Sequence, residues 1–213
     1  MTQLSPSLLT GLVWFAALSA TSCSNPFWSN PNDIPGTIRL DVEATWNGAP
    51  IELGEVAMDH LGHNIQLQNL QMYISRVELR DLSGEWIGNE RADEVHLVDF
   101  NVPSPRIVEP FRVGTYDAIR FSMGLPPGYN GVVTPSEYPN DHPLSVAGSA
   151  GMFWTWASGY IFVKYEGKFA ADGSGEPLEP LSYHTGTDSA YREVILDFPT
   201  LLFTAPRNLQ VVN

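Results

Sequence analysis

The chain has 213 residues and a formal net charge of −13 at pH 7, from 11 basic and 24 acidic side chains. A surface this acidic repels nucleic acid and anionic lipid headgroups, and no basic cluster offsets it, so a nucleic-acid-binding protein is excluded. The length suits one domain after removal of a targeting segment and allows a sizeable hydrophobic core.

Residues 1–22 are predicted to form a lipoprotein signal peptide. They carry no charged side chain, and the apolar run from Leu8 to Ala20 is too short to span a bilayer. Small residues lead into Cys23, the only cysteine, which predicts a lipobox with a lipidated Cys23. An ordinary signal peptide with an incidental cysteine is the alternative. A lipidated protein would be periplasmic or at the cell surface, and Ser24 indicates the outer membrane.

Residues 23–36 are rich in proline and asparagine and predict a flexible tether, which leaves residues 37–213 as the folded domain. From Ile38 to Trp46 apolar and polar side chains alternate, which predicts a half-buried strand. The alternation then changes parity near Gln68 and Asn69, where a β-bulge or a short turn would explain the change.

Later segments repeat the two-residue period, and none outside the signal peptide has a convincing apolar helical stripe. The spacing of strand and turn signals predicts an all-β fold, an antiparallel β-sandwich or barrel of roughly seven to nine strands. The interval from Gly124 to Gly151 holds five prolines and predicts one long loop. A loop of this length in a compact domain is usually either functional or disordered, and its position directly before an aromatic segment favours a functional loop.

The loop leads into the aromatic segment GMFWTWASGYIFVKYEG, which starts at Gly151. On one continuous strand, a single face would carry Trp154, Trp156, Tyr160 and Glu166. One interpretation is a half-exposed packing face, since aromatic stripes mostly pack. The other is the wall of a site, because closely spaced tryptophan and tyrosine rings can also pass an oxidising equivalent along the protein.

Four of the five histidines lie in polar loops, and His96 lies within a strand, where it is interpreted as structural. Imidazole is the commonest metal ligand, so the loop histidines predict a copper or zinc site, although solvated side chains would show the same spacing. The predicted metal ligands are His184, His142, His60 and His63. No nucleophile or phosphate-binding motif occurs, and a carboxylate pair of Glu166 with Asp99 or Glu78 is a weak enzymatic alternative.

Six segments resemble the MbnP-like family: NLQMYISRVEL, EVHLVDF, GTYDAIRFSMGL, HPL, GMFWTWASGYIFVKYEG and YHTG. The resemblance extends from Ile38 to the C-terminus. It implies a β-sandwich or barrel, export, association with methanobactin operons, and a copper site that uses histidine. It also implies a di-haem cytochrome c peroxidase-like partner, which in some relatives oxidises a tryptophan to kynurenine.

The resemblance also selects residues. Trp154, Trp156, Tyr160 and Glu166 match the family's aromatic block, and His142 and His184 match its flanking histidines. Trp46 is the nearest candidate for the copper-site tryptophan, although Asn47 and Gly48 follow it where a Trp-x-His pairing would be expected.

Two classes of function therefore follow from the sequence. The first is a non-enzymatic, lipid-anchored periplasmic copper-binding protein, partnered with a di-haem peroxidase-like enzyme that oxidises a tryptophan. The second is a metal-free surface module, binding or structural, that recognises a peptide or a glycan through its aromatic face.

Overall fold

The computed structural model describes residues 35–88, 95–130, 134–154, 159–202 and 210–212. The predicted signal peptide, Cys23, nearly all of the predicted tether and Trp156 lie outside these residues. Two short 3-10 helices, Pro135–Glu137 and Asp188–Ala190, are the only helices in the described ranges. None of the described helices is long and apolar enough to cross a membrane.

Strands make up most of the described chain. In order, they are β1 (Pro35–Asp41), β2 (Thr45–Trp46), β3 (Ala49–Pro50), β4 (Val56–Met58), β5 (Asn64–Asp81), β6 (Trp86–Gly88), β7 (Val95–Asp99), β8 (Arg106–Arg112), β9 (Thr115–Met123), β10 (Phe153–Trp154), β11 (Gly159–Tyr160), β12 (Val163–Phe169), β13 (Glu179–Thr185), β14 (Arg192–Leu202) and β15 (Gln210–Val212).

Two sheets form the body of the domain. The larger has the order β13-β12-β5-β9-β14, and β4, β6 and β7 also pair with the long strand β5. The smaller has the order β15-β1-β8, where β1 pairs with β15 in parallel and with β8 antiparallel. The predicted all-β sandwich or barrel is therefore confirmed, with β5 as the strand that organises the larger sheet.

The main core lies between the sheets, where the alternating apolar side chains of the sequence face inward. Ile38 and Phe111 from the smaller sheet meet Leu79 and Ile119 from the larger one, and all four are buried. A residue two positions along a strand returns to the same side, so the period seen in the sequence places this set in one layer.

A second core lies where the predicted long loop packs on the larger sheet. Leu125, Leu144 and Met152 of this part of the chain are fully buried against Tyr73 and Tyr160. Both tyrosine hydroxyl groups donate to loop carbonyl oxygens, at 2.9 Å to Pro143 and 2.5 Å to Leu144. These contacts fix the loop to the sheet.

The predicted irregularity at Gln68 is present. Glu166 of β12 pairs with Asn69, but the next residue, Gly167, pairs with Leu67, so Gln68 is the extra residue of a β-bulge. The bulge shifts the alternation of side chains along β5 by one residue, and this explains the change of parity in the sequence.

The prediction of one continuous aromatic strand is wrong. β10 and β11 pair antiparallel, with Phe153 opposite Tyr160 and Trp154 opposite Gly159, so the chain folds back on itself. Asn130 holds this hairpin, because its Oδ1 accepts from the Tyr160 backbone at 2.7 Å and its Nδ2 donates to the Gly186 carbonyl at 2.7 Å. Tyr160 is consequently 0% exposed and belongs to the core rather than to an open wall.

Candidate functional site

One side of the larger sheet carries polar side chains across four adjacent strands. Cross-strand pairing aligns one row of four residues, and a second row lies two positions along each strand, on the same side of the sheet. We call these eight residues the polar face. They are His184, Lys164, Gln71 and Asp99 in the first row, and Ser182, Glu166, Asn69 and Asn101 in the second.

The side of the larger sheet opposite the polar face is apolar. On β5, Leu70 and Met72 flank Gln71 and point to the opposite side, where both line the space between the two sheets. The first row leads towards the second core, because Tyr73 follows two residues after Gln71 on the same side. The polar face is therefore bordered by the long loop on one side.

Glu166 on β12 contacts a side chain on each neighbouring strand of this face. Its Oε1 lies 2.8 Å from His184 Nε2, and its Oε2 accepts from Asn69 Nδ2 at 3.0 Å. Lys164 Nζ lies 3.8 Å from the same Oε2. Burial raises the pKa of the Glu166 carboxyl, but the bonds from Asn69 and His184 and the charge of Lys164 outweigh it, so the pKa lies below its ordinary value.

The hydrogen bonds continue across β5 to β7. Asn101 Nδ2 donates to Asn69 Oδ1 at 2.8 Å and to Asp99 Oδ1 at 2.6 Å. Gln71 Nε2 donates to Asp99 Oδ2 at 3.0 Å. The side-chain amides and carboxylates thus hold one another in fixed orientations, which is the property expected of a preorganised binding surface.

Trp154 borders the polar face beside His184. The two ring centroids are 6.3 Å apart, and the rings are inclined by 45°. The sequence places His184 in a polar loop, which is wrong because His184 lies on β13; its ring nevertheless lies beside the aromatic segment. The approach depends on Gly186, because a Cβ there would lie 2.5 Å from the Trp154 ring.

The structure does not gather the four predicted histidine ligands. His184 pairs with Lys164 on β12, whereas the β5 residues just after His63 pair with the other end of β12, at Phe169. Five residues of strand separate these ends by about 17 Å. His60 and His63 therefore lie too far from His184 to share a metal ion with it, and His63 is instead bonded to Asp59, at 3.1 Å.

The remaining predicted residues have other surroundings. The His142 ring stacks on Tyr138 with centroids 4.4 Å apart, and its Nδ1 accepts from the Leu144 backbone at 3.1 Å. Trp46 Nε1 donates to the Met58 carbonyl at 2.7 Å, which places Trp46 at the His63 end of the sheet. His96, interpreted as structural, pairs with the buried Glu109.

The carboxylate pairs considered for an enzyme do not form either. Glu166 and Asp99 are separated by β5, which is about 9.6 Å at two strand spacings. Glu78 accepts from Arg120 Nε at 2.6 Å.

The potential metal donors of the described residues do not cluster. No three side chains of His, Cys, Asp or Glu come close enough together there to hold a metal ion. The His184–Glu166 pair offers two donors. The sequence places Lys164 on one face with Glu166, but it missed Gln71 and Asn69. The signal that could have found them is a polar residue at every second position of β5.

Comparisons with known proteins agree with this fold. The family model described as MbnP matches residues 35–212. Among solved structures, MbnP from Methylosinus trichosporium superposes with a TM-score of 0.52 at 19% identity, covering 80% of this chain and 71% of that chain. At this identity the likeness concerns the fold. No curated protein matches the chain.

Proposed function

The chain belongs to the MbnP family, and on that premise we propose that it is an exported, lipid-anchored copper-binding protein. The anchor is Cys23, at the end of the signal-peptide pattern. The partner is a di-haem cytochrome c peroxidase-like protein that oxidises a tryptophan of this chain. The observation that carries the proposal is the His184–Glu166 pair beside Trp154.

The pair places an imidazole nitrogen and a carboxylate oxygen side by side. His184 Nε2 and Glu166 Oε1 lie 2.8 Å apart, the distance of a hydrogen bond, so a metal ion bound by both would replace this hydrogen bond. Imidazole and carboxylate are both donors for Cu(II). The described residues bring no third donor of these types to the pair, so His184 and Glu166 are the two residues that would hold the ion.

Of the described tryptophans, Trp154 is the best placed for modification next to this site. It is half-buried and lies beside His184, whereas Trp46 lies at the opposite end of the sheet. A half-buried ring at the surface can be approached by a docked partner. Trp156 stays a prediction, since it lies outside the described residues.

We expect His184→Ala to lower the affinity for Cu(II) at least about tenfold, the smallest loss that changes around a metal site usually cause. Glu166→Gln should have a similar effect, because it keeps the shape but removes the charge. Titration of the full chain with Cu(II), followed by calorimetry and electron paramagnetic resonance, measures both. His63→Ala is the matched control and should bind as the wild type does.

Equal affinity in His184→Ala and the wild type would exclude the proposed ligand pair. His142→Ala tests the loop histidine in the same titration. A loss there as well would contradict a site that His184 and Glu166 form without a third donor.

Protein purified from its native host tests the remaining parts together. We expect its intact mass to show cleavage before Cys23 with an attached diacylglycerol, and peptide mapping to place an oxidative mass change on Trp154. Metal analysis should find copper. Cys23→Ala should release the protein from the membrane fraction, and membrane retention of that variant would contradict the anchor.

A further inference from the structure

A large cavity lies between the two sheets, at the end of the sandwich where β1 ends and where β7 leads into β8. Its volume is about 1010 Å³, and Leu70 and Met72 line it from the side of β5 that is opposite the polar face. Packed protein interiors leave few voids larger than a water molecule, so this space exceeds what imperfect packing leaves. It lies at the upper end of the range of about 300–1,000 Å³ that is typical of small-molecule sites.

The lining of the cavity is almost entirely apolar. Apart from Arg39, Asp41, Glu43 and Ser104, every residue that lines it is apolar. A water molecule in a cavity needs about two to four polar partners, and this lining offers few. Replacing such poorly held water with an apolar group is favourable, so the cavity suits an apolar ligand.

The cavity opens to solvent beside β14. Leu196 of this strand lies opposite Ile119, which is 3% exposed, so both side chains point between the sheets. Leu196 is nevertheless 51% exposed, and it lines the cavity. An inward-facing leucine with this exposure lies at an opening, through which a ligand can enter without separation of the sheets.

The shape of the cavity favours an extended ligand. Ile119, Phe121 and Met123 line it at successive inward positions of β9, over a length of about 14 Å. An extended chain advances by up to about 3.6 Å for every three bonds, so an alkyl chain of about twelve carbons spans this length. Met72 and Met123 contribute flexible side chains that adjust to the shape of a ligand.

The charges of the lining favour an uncharged head group. Among the described residues, Arg39 is the only cationic one that lines the cavity. Its neighbours Ile38 and Leu40 are buried in the core, so the alternation along β1 directs Arg39 to the outer side of the smaller sheet. Arg39 binds Asp41 there at 2.7 Å and is not available to a carboxylate, which the exposed Glu43 would repel.

We propose that this cavity binds a lipid with one alkyl chain of about twelve carbons or more and an uncharged polar head, such as a long-chain alcohol or a monoacylglycerol. The lipid site goes beyond the proposed copper function, because the cavity and the His184–Glu166 pair lie on opposite sides of the larger sheet. Copper and lipid are titrated separately, so either proposal can fail while the other holds.

The test is displacement of N-phenyl-1-naphthylamine, a dye that fluoresces in apolar surroundings, from the full chain. We expect saturable uptake of the dye and competition by 1-octanol, 1-decanol and 1-dodecanol. Each added methylene group should tighten binding about fourfold, the effect of its burial. The Kd of 1-dodecanol should be on the order of 10 µM. Dodecanoate should bind at least about fivefold more weakly than 1-dodecanol, the effect of one like charge nearby.

Leu196→Asp should weaken the binding of 1-dodecanol at least about tenfold, because it places a charge at the apolar opening. Ile195→Asp is the matched control and should bind as the wild type does. It adds the same charge to the neighbouring residue of β14, which is 48% exposed, lies opposite Arg120 and points to the other side of the sheet. Leu196→Trp, which narrows the opening without a charge, should also weaken binding and provides a second variant if Leu196→Asp fails to fold.

Absence of saturable dye uptake by the wild type would overturn the proposal. So would equal affinities for 1-octanol and 1-dodecanol, tighter binding of dodecanoate than of 1-dodecanol, or unchanged binding in folded Leu196→Asp. A dimer in sedimentation velocity that takes up no dye would assign the cavity to a second copy of the chain instead.

Discussion

Replacing His96 by alanine is expected to destabilise the domain by about 3–5 kcal/mol, because it leaves a buried carboxyl group without its partner. Glu109 is 1% exposed and pairs with His96 Nε2. His96 lies on β7 of the larger sheet and Glu109 on β8 of the smaller one, so the pair also connects the two layers. Urea denaturation of the two proteins measures the difference in the free energy of unfolding.

A double variant separates loss of the pair from loss of volume. Replacing both His96 and Glu109 by leucine removes both polar groups, and its stability should be close to that of the wild type, as for other buried pairs replaced by apolar residues. His63→Ala, at an exposed histidine, should change stability by less than about 0.5 kcal/mol. A cost below about 1 kcal/mol for His96→Ala would show that the Glu109 carboxyl does not depend on this contact.

Tyr160→Ala is expected to cost about 3–5 kcal/mol, the usual range for removing a large buried ring. The ring packs edge-on against Phe153, at 4.9 Å between centroids, and against Tyr73, at 6.0 Å. Its removal would leave a cavity under the long loop. The thermal and urea transitions of the variant report this loss.

Tyr160→Phe isolates the hydroxyl group, which donates to the Leu144 carbonyl, and should cost about 1 kcal/mol. Tyr183→Ala is the matched control, since Tyr183 is exposed on β13. Near-native stability of Tyr160→Ala together with altered metal binding would support the open aromatic wall that the sequence predicts. The buried position of the ring predicts a large loss of stability instead.

The features of the fold that are set by residues close together in the chain could be predicted from the sequence. The alternation in β1 and β9 and the bulge at Gln68 leave a direct trace, because each residue's side of the sheet follows from the residue two positions away. The reversal between β10 and β11 leaves no such trace. A continuous strand and two short strands have the same alternation, and the reversal depends on Asn130, which lies far away in sequence.

The candidate site has the same limitation. Glu166 and His184 were each identified from sequence, but their contact exists because β12 and β13 pair in one particular register. His60 and His63 were grouped with His184 by residue type, and the length of β12 separates them. Gln71 could not be found from the sequence, since its burial follows from the packing of the sheet.

The parallel pairing of β1 with β15 has a consequence for the order of folding. β1 precedes every other strand of the described domain, and β15 follows them all, yet Ile38 lies opposite Gln210. Until β15 is available to pair, this edge of the smaller sheet stays open. Contacts between such distant segments slow folding, and an unpaired strand edge can pair with another chain. The domain is therefore most vulnerable to aggregation before β15 has paired.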